Sequence, residues 1–300
     1  MDHAKPLARR QQTIIRPSHV SGFGYWSGSD VTIDFRPGPI DSGIVFVRED
    51  LKNYHRIQVD VGNRVNVPRR TNLTYYGYSV EMVEHVVAAL AGLQVDNCEV
   101  WTTSSELPGC DGSSQPFVTA ILDAGIVQQD GYCEPLVIDS STRVGDTESW
   151  VTAEPLLPND PAGSLILTYV LDYGGDSPIG RQTFELTLEP ASFVKEVAAA
   201  RTFILKAEAE WLQSQGLGSR VTCHDLLVFD ETGPVDNPLR FEDECVRHKT
   251  LDLVGDLALS GRQLCGRISA FRSGHRLNAE LVSALQHQQP TVSRPLLRVA

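Results

Sequence analysis

Cys245, His248, Asp252 and Asp256 follow one another at spacings of three, four and four in the stretch FEDECVRHKTLDLVGD (residues 241–256), with Lys249 beside His248. On a helix advancing about 100° per residue, these five side chains fall within roughly 100° of one another. Val246, Leu251, Leu253, Val254, Leu257 and Ala258 take the other side. A charged stripe of this kind ordinarily faces water. A histidine with an aspartate four residues on can instead close on one cation from a rigid backbone. Zinc makes bonds of roughly 2.0–2.2 Å to nitrogen and oxygen, and two such ligands need one more protein group to leave a position open for water.

Few histidines are available as the third ligand. His3, His19, His55, His224 and His287 lie in polar or strand-edge contexts that suit the surface. His85 differs, because it sits inside the apolar pattern VEHVVAALAGL next to Glu84. A lone histidine there reads most simply as a satisfied core residue, but a Glu-His pair is costly to bury unless something cationic or reactive offsets the desolvation. A carboxylate beside a metal ligand is well placed to take a proton from an activated water. The logic is that of the H-E-x-x-H metallohydrolases at a different spacing, and H-E-x-x-H itself does not occur in this chain.

The elements that must position these residues form two halves of similar grammar. DVTIDF, SGIVFVRED, YHRIQVDVG, NLTYYGYSV and NCEVWTTS read as strands, and EMVEHVVAALAGL and SSQPFVTAILDAG as helices. In the second of these helices a Ser cap, Pro116 and a terminal Gly125 mark the ends. The stretch ELPGCDGSSQPF is explained by turn and cap chemistry, and no catalytic role is assigned to its serines. Around QQDGYCEP the Asp-Gly and Glu-Pro pairs read as turns, which places a domain boundary near residue 130 and predicts domains 1–130 and 131–300. Beyond it LVIDSSTRV, SWVTAEP, SLILTYVLDY, RQTFELTLE, DLLVFD and CGRISAFRSGH read as strands. SFVKEVAAARTF, ILKAEAEWLQSQG, the opening stretch and LNAELVSALQHQ read as helices. The irregular alternation favours an α+β fold with mostly antiparallel or mixed sheets over a doubly wound one. A duplication is compatible with the two halves, whose residue identity is too weak to establish it.

Composition narrows the function. The 300 residues carry 26 Lys and Arg against 38 Asp and Glu, a formal charge of −12, which disfavours non-specific binding to nucleic acid or anionic lipid. Any phosphate on a substrate must be met by a few placed cations. No signal-peptide core and no run of 18 apolar residues occurs, so a soluble, cytoplasmic protein with at most peripheral membrane contact is expected. Six scattered cysteines without a CxxC pair indicate reduced thiols rather than disulfides or a Cys-type zinc site.

VEHVVAALAGLQVDN, ELPGCDGSSQPFV, IGRQTFEL, AARTF, LRFEDECVRHKTLDLVGD and AFRSGH run in this order over nearly the whole chain. With them the chain resembles the UDP-3-O-acyl-N-acetylglucosamine deacetylases, the zinc amidases of bacterial lipid A biosynthesis. The resemblance implies two similar α+β domains whose helices are sandwiched between two outer sheets. It implies zinc, held by His85, His248 and Asp252, with Glu84 as general base. It further implies that His275 is a second catalytic residue oriented by Asp256, that Thr202 hydrogen-bonds the tetrahedral intermediate, that Phe203 lies beside the substrate and that Lys249 contacts its phosphate. The substrate implied is a small molecule, a UDP-sugar bearing a fatty acyl chain, handled by a monomer. Iron(II) fits the same His, His, carboxylate donors.

An amide needs an activated water, a stabilised oxyanion and a proton for its departing amine. Glu84, Thr202 and His275 answer these needs, and Lys249 is the placed cation that a diphosphate demands. Departures from the family are local. Trp26 in GFGYWSG stands where the family's Gly-Leu-His-Ser-Gly has its histidine, GLGSRVTCHDLLVFD lacks the usual Gly-Gly and Asn, and DNPLRF replaces Asp-Gly-Leu-Arg-Phe. Two alternatives share these residues: action on another N-acetylated sugar nucleotide, and a non-catalytic relative that keeps the fold. The second would need neither a base nor an acid.

Overall fold

The computed structural model describes residues 8–288; His3 lies outside them. The first half runs β1 (Arg10–Ile14), β2 (Ser18–Phe23), β3 (Asp30–Pro37), β4 (Ile44–Arg48), β5 (His55–Gln58), β6 (Arg64–Val65), β7 (Asn72–Tyr75), β8 (Tyr78–Glu81), α1 (Glu84–Gly92), β9 (Cys98–Thr102), α2 (Gln115–Ala124) and β10 (Ile126–Tyr132). The second runs β11 (Leu136–Val137), β12 (Thr142–Gly145), β13 (Trp150–Glu154), β14 (Leu165–Asp172), β15 (Arg181–Thr187), α3 (Pro190–Glu196), β16 (Phe203–Leu205), α4 (Lys206–Ser214), β17 (Leu227–Asp230), β18 (Gly233–Pro234), α5 (Glu244–Leu257), β19 (Leu264–Phe271) and α6 (His275–Gln288). The fold is α+β, as expected.

The larger sheet of the first half has the order β2-β3-β9-β4-β5, and the path through the larger sheet of the second is β12-β13-β19-β14-β15. In both, the strand of the sheet that comes last in chain order is inserted between the second and third, parallel to the third and antiparallel to the second. A helix precedes that inserted strand and another follows it: α1 and α2 around β9, α5 and α6 around β19. Each half also carries a small three-stranded sheet before its central helix, β6-β7-β8 and β16-β17-β18. The repeat that residue identity left open is therefore visible in topology.

The alternation of DVTIDFRP buries Val31, Ile33 and Phe35 on one face, and one continuous hydrophobic core runs through both halves. At its centre lie α1 and α5. Eight of the nine residues of α1 are buried, including Glu84 and His85. In the polar stripe of α5, Cys245, His248, Asp252 and Asp256 are buried too, not solvated, and only Lys249 stays partly exposed, because the helix packs against α1. A Cβ added at Gly255 would sit 2.3 Å from the Glu84 carbonyl oxygen, so only glycine allows the two backbones to approach this closely.

Three local expectations are corrected. NLTYYGYSV forms the β7–β8 hairpin, turning at Tyr76 and Gly77 in left-handed conformation (φ 48° and 82°). Asp130 and Gly131 lie in β10, which pairs with β1, instead of in a turn. Helix α3 stops at Glu196 although Ala198–Ala200 favour helix. Tertiary bonds override that propensity: Thr202 N–H donates to the Gly112 carbonyl at 2.7 Å and its own carbonyl accepts from Leu227 N–H at 2.9 Å, drawing the chain into β16.

Gly255→Ala is expected to destabilise the protein by about 1–3 kcal/mol through overpacking against α1. Urea unfolding should show a lower midpoint with an unchanged slope, and an unaltered midpoint would mean the helices can separate without cost.

Candidate metal centre and catalytic site

His85 is the second residue of α1, and His248 and Asp252 lie one turn apart on α5. Asp252 Oδ1 stands 3.6 Å from His85 Nε2 and 3.4 Å from His248 Nε2. All three ligand atoms lie within 4.8 Å of one another, and all three residues are buried. Tetrahedral coordination with bonds of about 2.1 Å places ligand atoms about 3.4 Å apart, so the set fits an ion of that size. His248 Nδ1–H donates to the Ala200 carbonyl at 3.1 Å, which leaves Nε2 with its lone pair free to bind a cation. Burial, opposed by Asp252, holds the His248 pKa down to about 4, so the imidazole is neutral as a ligand must be. Burial also opposes ionisation of Asp252, but Lys249 and His248 outweigh it and hold the carboxyl well below its usual range.

The other residues expected at the site gather around this cluster. Glu84, His85, Thr202, Phe203, His248, Lys249, Asp252 and His275 all line one cavity of about 1320 Å³. Glu84, the first residue of α1, is buried and accepts a hydrogen bond from Thr71 N–H at 3.0 Å. Its burial raises its pKa, and His275 and His85 pull it part of the way back. Asp256 is fully buried behind the cavity wall and accepts from His275 Nδ1–H at 2.9 Å and from Asn278 Nδ2–H at 2.8 Å. Burial disfavours a charged His275, yet Asp256 outweighs it and pushes the pKa up to about 9. Lys249 Nζ reaches Asp252 Oδ2 at 2.7 Å.

Thr202 Oγ1 lies 3.1 Å from both His248 Nε2 and the Gly112 carbonyl. Its single proton serves one of them at a time, and a cation on Nε2 would release it toward Gly112 or toward an oxygen in the cavity. The Phe203 ring meets the His248 ring edge to face with centroids 6.2 Å apart. Thr202 and Phe203 are fixed by the preceding Arg201, which is 3 % exposed and makes a fork-like pair with the fully buried Glu244 at the head of α5.

Ser114 occupies the position before α2 without capping it; its hydroxyl donates to the His85 carbonyl at 2.7 Å and so braces a candidate ligand. His19 and His224 are exposed, as is His287, while His55 is half buried and stacked on Tyr78. Trp26 lines the main cavity, covered by the Arg70 guanidinium 4.5 Å above its ring. Sequence reasoning missed Thr71, Asn278 and the Ala200 carbonyl. Asn278 stands one helical turn after His275, so spacing alone could have found it. Thr71 precedes a strand, and a backbone carbonyl has no side-chain signal.

The sequence profile described as "LpxC: UDP-3-O-acyl N-acetylglycosamine deacetylase" matches residues 11–287. The chain belongs to this family. It is 38% identical over 277 residues to the UDP-3-O-acyl-N-acetylglucosamine deacetylase of an Anaeromyxobacter species, covering 91% of this chain and 87% of the relative. It is 35% identical over 284 residues to the enzyme of the same name from Mannheimia succiniciproducens, covering 93% and 91%. With that from Pseudomonas entomophila it shares 36% over 280 residues, covering 92% and 90%.

In the metal-free protein His275 is expected to titrate near 9 instead of its ordinary 6.5. The stabilisation that this pair contributes is then fully present below about pH 6.5 and is lost as pH rises through about 9. Imidazole NMR of wild type and Asp256→Asn checks this: the variant should titrate well below the wild type, and equal values would remove Asp256 as the cause.

Proposed function

We propose that this protein is a zinc-dependent deacetylase that hydrolyses the N-acetyl group of UDP-3-O-(3-hydroxyacyl)-N-acetylglucosamine to acetate and the free amine, a step of lipid A biosynthesis. One observation carries the reading: in a chain of this family, a buried His85, His248, Asp252 set shares one cavity with a buried glutamate and a histidine hydrogen-bonded to a buried aspartate. Zinc bound there would supply an acidified water and a polarised amide carbonyl; iron(II) suits the same donors.

The remaining chemistry belongs to the side chains. Glu84, with its pKa raised by burial, accepts a proton from the attacking water. The Thr202 hydroxyl and the His275 imidazolium face the charge that develops on the carbonyl oxygen. As the C–N bond breaks, the amine takes a proton from His275 or from the newly protonated Glu84. Asp256 holds the imidazolium in place. Lys249, Arg272 and Arg276 line the cavity as cations suited to a diphosphate, and Ile204, Leu212, Val221 and Leu226 supply apolar wall for an acyl chain.

Two domains, 1–130 and 131–300, with their helices between two outer sheets, are the arrangement we favour. The matched strand orders and the close α1–α5 contact support it. No helix among the described residues is long and apolar enough to cross a membrane. A monomer working in the cytoplasm, with no nucleic-acid partner, completes the proposal.

The test couples metal content with acetate release. Wild type should bind one zinc and release acetate, a chelator should stop it, and Glu84→Gln should lower kcat by about 10²–10⁴ while zinc stays bound. A wild-type rate in Glu84→Gln would sink the base assignment. Bound zinc with no acetate released across several acyl lengths would sink the substrate and favour another N-acetylated sugar nucleotide.

A further inference from the structure

Thr71 is 1 % exposed, sits immediately before β7, and was assigned no role above. All three of its polar groups are engaged. Its N–H donates to Glu84 Oε2 at 3.0 Å, its hydroxyl donates to Asp256 Oδ1 at 2.6 Å, and its carbonyl accepts from Val83 N–H at 3.1 Å. One residue of the first half therefore touches both the carboxylate assigned as base and the carboxylate that orients His275, which belongs to the second half. The direction of the hydroxyl bond is set by chemistry, since an ionised Asp256 can only accept.

We propose that Thr71 is a positioning residue that fixes the Glu84 carboxylate through its backbone and the Asp256–His275 pair through its hydroxyl, setting base and acid at a constant separation across the α1–α5 junction. This rests on the roles given to Glu84 and His275 above. Asp256 Oδ2 is already occupied by His275 and Asn278. The Thr71 hydroxyl is the donor on Oδ1 that keeps the carboxylate from rotating and taking the imidazole with it. A short hydroxyl–carboxylate bond between two buried groups is well suited to that task.

Thr71→Val keeps the shape and the backbone bond to Glu84 and removes only the hydroxyl. It should lower kcat roughly 10- to 100-fold, by analogy with the loss when an outer partner of a metal ligand is removed. KM and zinc content should be unchanged, and Thr71→Ser should restore most of the rate. Combined with His275→Ala, Thr71→Val should add no further loss, because both act on one group. A readout independent of turnover is the downfield His275 Nδ1 proton resonance of the metal-free protein, which should broaden or vanish in Thr71→Val and persist in Thr71→Ser. Should Thr71→Val fail to fold, Thr71→Cys, with its weak donor, should fall between wild type and loss.

Unaltered kcat in the valine or cysteine variant, a loss that adds in full to His275→Ala, or a loss accompanied by departing zinc would each overturn the proposal. An inactive wild type that still shows the serine–valine difference in the NMR signal would instead count against the reaction assigned, and leave the positioning intact.

Discussion

The backbones of α1 and α5 approach at Gly255 so closely that a single methyl group there would overlap the carbonyl of Glu84. Asp252 and Asp256 lie three residues before and one residue after that glycine, while Glu84 and His85 are the first two residues of the facing helix. Because the main chains touch, short side chains suffice to cross the junction. Aspartate and histidine lose less rotamer freedom on ordering than long flexible side chains do. A wider separation would have needed those longer groups, with looser geometry. The same closeness buries the charges it brings together, so each of them gains from a partner. That demand explains the connected set Lys249–Asp252, Asp256–His275 and Thr71–Asp256.

The repeated topology sharpens the comparison between two glutamates. Glu84 and Glu244 each open the helix that precedes the inserted strand of their half, and each accepts a backbone N–H from the segment before it, Thr71 and Arg201 respectively. Glu244 also takes the Arg201 guanidinium on both oxygens and the Arg240 N–H. Its lone pairs are spent on structure, and it anchors Thr202 opposite His248. Among the described residues no guanidinium is hydrogen-bonded to Glu84, which lines the cavity. One scaffold position thus serves as a strut in one half and stays available for a proton in the other.

Most strands and helices were legible because they follow the periods of two and 3.6, and the α5 stripe was legible because its candidate ligands share one helix. Its burial was not, since a polar stripe looks the same whether it faces water or another polar helix end. His85 was visible only through the oddity of Glu-His in an apolar helix. Thr202 came from resemblance, and its placement depends on Gly112 and Arg201, residues far from it or devoid of any periodic signal. Thr71 had neither period nor motif. Groups that act through backbone atoms, such as the Ala200 carbonyl on His248, leave no mark on residue type at all.

Lys249 shows how one carboxylate can serve two demands. Asp252 presents Oδ1 to both imidazoles and keeps Oδ2 for the Lys249 ammonium. A cation held by the three ligands and the lysine are therefore not rivals for the same lone pair. The ammonium fixes the plane of the Asp252 carboxylate from outside. Burial opposes its charge and Asp252 sustains it. A lysine has three donors and spends one on Asp252. The others can turn to the cavity it lines, where an anionic substrate group would find a cation already desolvated and already held in place.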